Sequence, residues 1–108
     1  MKLTVNRRLS EGYYYVSFDA TDFTPEELQK MDRFGIPQVP LKSGGGPGKG
    51  ISSIVVPLNQ LTGRYNAGFR TEDEAKKYEE LVIKQIRDSV QRLREAEDKF
   101  TSSQEVSI

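Results

Sequence analysis

The clearest pattern in the chain is its last long segment, where apolar positions recur at helical spacing. From Thr71 to Phe100 the residues Tyr78, Leu81, Val82 and Ile86 form a broad stripe suited to lying on a sheet. Ile83, Ile86, Val90, Leu93 and Phe100 continue it on a 3–4 spacing that Glu97 interrupts, short of the heptads of a coiled coil. No Gly or Pro follows Gly68. Thr71 and Glu74 have the spacing of a capping box, with Glu72, Asp73 and Glu74 at the positive end of the dipole. Acid-to-base pairs at i,i+4, such as Glu72–Lys76 and Asp73–Lys77, add ~0.2–0.5 kcal/mol each. A helix of about 28 residues spans roughly 42 Å, more than so small a domain needs. Its far end either covers the chain's own sheet or overhangs and pairs with a second copy through Ile86, Val90, Leu93 and Phe100.

Alternation dominates the start. Leu3 to Asp19 reads as a β-hairpin turning at Leu9-Ser10-Glu11-Gly12, with Arg8 facing Tyr13 and Val5 facing Val16. Leu3, Val5, Tyr14, Val16 and Phe18 then share a core face, and Arg8, Tyr13 and Tyr15 lie on the other. Phe23-Thr24-Pro25-Glu26-Glu27-Leu28 opens a short helix: Thr24 caps, Pro25 takes the first position and Glu27 completes the box. That helix ends near Arg33 at Gly35, with Leu28 and Met31 directed inward. Ile36 to Leu41 is extended, and its two prolines exclude a central strand. Residues 43–50 form a flexible glycine loop. Ile51 to Leu58 is a third strand, and Arg64 to Phe69 a fourth, with Tyr65, Ala67 and Phe69 on one face. The order β-β-α-β-β-α predicts an α+β fold: an antiparallel sheet of about four strands on a long C-terminal helix, one domain over 1–100. Residues 101–108 are a polar tail, either disordered or a short added strand.

Composition narrows the chemistry. The 108 residues contain no Cys and no His, which removes disulfides, thiolate and imidazole metal sites, and Ser-His or Cys-His catalysis. Paired carboxylates such as Asp19/Asp22 and Glu26/Glu27 read as strand-end and helix-start residues. The expectation is a non-enzymatic protein with no cofactor, no metal and no evident small-molecule substrate. No apolar run is long enough to span a membrane and no signal-peptide pattern opens the chain, so a cytoplasmic location is expected.

Net charge is zero, yet the charges are segregated. Between residues 34 and 70 stand Lys42, Lys49, Arg64 and Arg70 with no acid, while acids gather at 19–32 and 72–98. A basic sheet-and-loop surface opposite an acidic helix layer suggests an anionic partner. The glycine loop is not a Walker A loop, since Ser43 occupies the first Gly position and Gly50 the Ser/Thr position. Its amides, with Lys42 and Lys49, can still approach phosphates closely. Tyr13 and Tyr15 beside Arg8 and Arg64 are stacking aromatics interleaved with cations, as single-stranded nucleic acid binding requires.

The element order, the Gly48-Lys49-Gly50-Ile51-Ser52 stretch leading into a strand, and the long final helix resemble small single-stranded-DNA-binding proteins. In these a curved sheet is backed by a dimerising helix; the transcriptional-coactivator type and the archaeal ThermoDBP type are examples. The resemblance implies a homodimer binding single-stranded DNA or RNA. The expected contacts are Arg8, Tyr13 and Tyr15 on the sheet face with Lys42, Lys49 and Arg64 on phosphate. The alternative is a protein-interaction or assembly module, a homodimer through the long helix, and the general pattern also suits small bacterial or prophage proteins.

Overall fold

The computed structural model describes residues 1–101 and 105–107, with side chains over 1–96 and 105–107. Strands β1 (Lys2–Ser10) and β2 (Tyr13–Thr21) form the first hairpin. Its turn is the pair Glu11-Gly12, both at positive φ (52° and 79°), the conformation that matches the twist of two joined strands. Each partner is therefore displaced by two from the expected register. Arg8 faces Tyr15 rather than Tyr13, and Val5 faces Phe18 rather than Val16. A displacement of two leaves every side chain on its expected face, because the pleat has period two. Val16 and Phe18 are buried on the inner face, with Leu3, Val5 and Tyr14 packed around them.

Helix α1 (Pro25–Phe34) starts as its sequence dictates. Glu27 N–H donates to Thr24 Oγ1 at 3.1 Å and Thr24 N–H donates back to Glu27 Oε1 at 2.9 Å. Gly35 ends it at φ 98°, its N–H donating to the Met31 carbonyl. The buried face is Glu27, Lys30 and Met31, and Leu28 is 49% exposed instead of inward. The cause is α1's position against α2 (Glu72–Thr101). Lys30 Nζ donates to the Arg94 carbonyl at 2.6 Å, and Glu27 Oε1 accepts from the Met1 ammonium at 2.7 Å. Burial pushes the Glu27 carboxyl up. The hydrogen bonds from that ammonium and from Thr24 more than offset it, so its pKa lies below the usual carboxylate value.

Strands β3 (Gln38–Gly44) and β4 (Ile51–Pro57) form a second hairpin. A 3₁₀ turn at Leu58–Gln60 and a loop lead to the short β5 (Ala67–Phe69). The sheet has five strands in the order β1-β2-β5-β3-β4, mostly antiparallel, so the α+β class is as expected with one strand more. The additional strand is β3, in a stretch whose two prolines argue against a central strand. It lies inside the order but meets β5 only at Gly44↔Ala67. Pro40 lies on the stretch of β3 beyond β5, where a missing N–H leaves no ladder bond unmade. The last strand begins at Ala67, so Arg64 stands in the preceding loop and not on the sheet.

Tyr78 of α2 fills the gap that the short β5 leaves. Its hydroxyl accepts from Lys42 N–H at 3.1 Å and donates to the Lys42 carbonyl at 3.4 Å. Burial raises the Tyr78 pKa, and the backbone hydrogen bond from Lys42 opposes it. Tyr78→Phe keeps the ring against Phe18 and Phe69 (centroids at 5.9 and 5.1 Å) but leaves the strand edge unpaired. The expected loss is about 1–3 kcal/mol, read as a lower urea midpoint with unchanged m-value.

Helix α2 covers the sheet through Ala75, Tyr78, Val82, Ile86 and Val90, all buried. Leu81, expected on that stripe, is 53% exposed, because the buried stripe runs through 75, 78, 82 and 86. The N-terminal half of the expected cap is formed: Glu74 N–H donates to Thr71 Oγ1 at 3.2 Å. Ile86, Val90 and Leu93 are 2%, 8% and 7% exposed. These three, expected on a dimer seam, are thus buried within the chain, Ile86 and Val90 in the core over the sheet. Phe100, the fourth, has its side chain outside the described residues, as do most of the tail's. Among the described residues no helix is long and apolar enough to cross a membrane.

Candidate nucleic-acid interface

The outer face of the sheet owes its composition to the β2–β5 register. Tyr15 pairs with Gly68 and Tyr14 with Phe69, so Arg70 follows beside Tyr13. The β3–β4 connection folds against the same corner. Gly45 N–H donates to the Gly50 carbonyl at 3.1 Å, and Lys49 N–H to the Gly46 carbonyl at 3.2 Å. The glycine segment expected to be a loose loop is a hydrogen-bonded hairpin turn packed on β5, with Ser43 and Gly44 already in β3.

Two close approaches explain the glycines. A Cβ on Gly45 would stand 2.3 Å from the Gly68 carbonyl oxygen, and one on Gly68 would stand 2.8 Å from the Tyr15 ring. Tyr15 thus lies along the bare backbone of β5, a way of covering strand surface that glycine leaves open. Its hydroxyl reaches Gly46, where a Cβ would come within 2.4 Å. The Arg8 guanidinium carbon stands 5.0 Å from its ring centroid.

Between the turn, β5 and the start of α2 lies an open groove of about 640 Å³. Backbone of Gly45, Gly46, Gly48, Gly50 and Gly68 forms much of its floor. Tyr13, Lys42, Lys49 and Arg70 line it, with Glu74 as its one acid. The three cations are exposed and Tyr13 is half-buried.

Of the six residues expected on nucleic acid, the groove brings together Tyr13, Lys42 and Lys49. Arg8 and Tyr15 form a stacked pair adjoining it, in which Tyr15 is engaged by Gly68 as well as by Arg8. Arg64 is apart, its guanidinium carbon 5.9 Å from the Tyr65 centroid. Arg70, one of the cations of the acid-free stretch but not among the expected contacts, belongs to the groove. Its place before the helix cap was legible, but its position beside Tyr13 depends on a pairing between strands some fifty residues apart, counted from Tyr14↔Phe69. Among the described residues no group of three or more Asp or Glu could hold a metal ion.

No protein-family model matches the chain, and neither a curated protein nor a solved structure matches it.

Proposed function

We propose that this small α+β protein binds single-stranded nucleic acid in the glycine-floored groove. The observation that carries the reading is the convergence of Lys42, Lys49 and Arg70 around a glycine-lined groove, with Tyr13 beside them and Gly48 and Gly50 exposed. The cations neutralise phosphates, and the absence of side chains on the floor lets the backbone approach closely. Tyr13 supplies a ring on which a base stacks, while Tyr15 is a support beneath the groove wall. An open groove suits an extended strand better than an enclosed small molecule.

The test is fluorescence anisotropy of labelled single-stranded and double-stranded oligonucleotides at two salt concentrations. Expected is preference for the single strand, with log K falling by about 0.7 per phosphate contact for each tenfold rise in salt. Tyr13→Ala should cost about 1–3 kcal/mol for the base it stacks. Absence of binding at low salt would remove the reading.

A further inference from the structure

The two edges of the sheet are unlike. Strand β1 is guarded by Lys2, Arg7 and Arg8, the charges that keep edges from pairing with other chains. The β4 edge carries Ile51-Ser52-Ser53-Ile54-Val55-Val56 with no charge, and no charged residue stands between Lys49 and Arg64. Ile51 is 44% and Val55 61% exposed, and Leu81 of α2, across a cleft of about 260 Å³ from Ile54 and Val55, is 53% exposed.

Backbone direction along this edge follows from the Tyr78 contact. Because Lys42 N–H and C=O both meet the Tyr78 hydroxyl, they point away from β4, so Lys42↔Ser53 is a non-hydrogen-bonded pair. Alternation then turns the N–H and C=O of Ile51, Ser53 and Val55 to the free edge.

We infer that β4 pairs antiparallel with β4 of a second copy of this chain, about a two-fold axis through Ser53. In that register Ser53 faces Ser53 of the second copy, and Ile51 faces Val55. All three are hydrogen-bonded positions, so every free N–H and C=O of this stretch finds a partner. The exposed Ile51 and Val55 cover each other, and no like charges are brought together. One segment meets itself in complementary fashion, which is what an isologous contact requires. A single strand pair buries less than a standard interface, so the dimer is weak and concentration-dependent. The inference does not rest on nucleic-acid binding, and its test contains none.

Sedimentation velocity from low micromolar to near-millimolar protein gives the first readout. The wild type should pass from monomer to dimer, while Ser53→Lys, with an unchanged circular dichroism spectrum and melting curve, stays monomeric. Cross-linking in the naturally cysteine-free chain gives the second. Ser53→Cys should form a disulfide-linked dimer under mild oxidation, since facing residues of a hydrogen-bonded pair have Cα atoms about 5.5 Å apart. Ile51→Cys should not, because the two copies of that position are about 14 Å apart along the strands. A wild type that stays monomeric throughout, as a strand reserved for some other extended peptide would, overturns the inference. So does a dimer that Ser53→Lys leaves intact, or cross-linking at position 51 in place of 53.

Discussion

Replacing Lys42, Lys49 and Arg70 together with glutamate is expected to lower affinity for single-stranded nucleic acid about 100-fold near 0.1 M salt. The magnitude follows from counterion release. Each phosphate neutralised on a single strand contributes roughly 0.7 to the slope of log K against log salt, so three contacts contribute about 2. At about 0.1 M salt that slope corresponds to two orders of magnitude, and repulsion by the new carboxylates adds to it. All three side chains are exposed, so the triple variant should melt close to the wild type. The salt slope of the residual binding should be shallower by about 2. Arg64→Glu is the matched control: it changes the same kind of charge in the same acid-free stretch, but on the loop beside Tyr65. A loss from Arg64→Glu as large as that from Lys49→Glu alone would mean that net charge and not the groove governs binding.

The largest expected effect on stability comes from Gly45→Ala, on the order of 3 kcal/mol. Gly45 has φ 77°, a region that costs an alanine about 1–2 kcal/mol by itself. The added Cβ would also stand 2.3 Å from the Gly68 carbonyl oxygen, which belongs to a buried backbone and has little room to yield. Relief requires the glycine turn to lift from β5, and with it the wall that holds Lys49. For a chain of this size 3 kcal/mol corresponds to a melting temperature about 10–20 °C lower. Gly48→Ala separates the two contributions. Gly48 also has positive φ (69°), but nothing lies within 4 Å of its Cβ position, so it should lose only the backbone part. If the two variants melt together, the turn is not packed against β5 as described.

The contrast between these two glycines shows where reading the chain alone stops. Both stand in one run of similar composition, and only the approach of Gly68 makes one of them critical. Local signals were legible wherever the physics is local. The Thr24–Glu27 box, the Pro25 start and the Gly35 stop of α1 were all identified, as was the long amphipathic α2. The inner and outer faces of the first hairpin survived an error of two in its register, because alternation does not depend on which partner is opposite. The acid-free stretch from 34 to 70 supplies Lys42, Lys49 and Arg70 to the groove, while its Arg64 lies apart.

What the amino-acid sequence determined by itself was therefore the class of fold, the two helices and the face each residue of the first hairpin occupies. These follow from backbone conformation and spacing along a few neighbouring residues. Tertiary structure alone decided which apolar residues are spent internally, since Val90 and Leu93 are buried by what packs against α2 and not by their spacing along it. It alone placed β5 between β2 and β3, and so set Arg70 beside Tyr13 and the glycine turn beside both. Such juxtapositions join residues far apart in the chain, and their energies arise only once the sheet has closed around them.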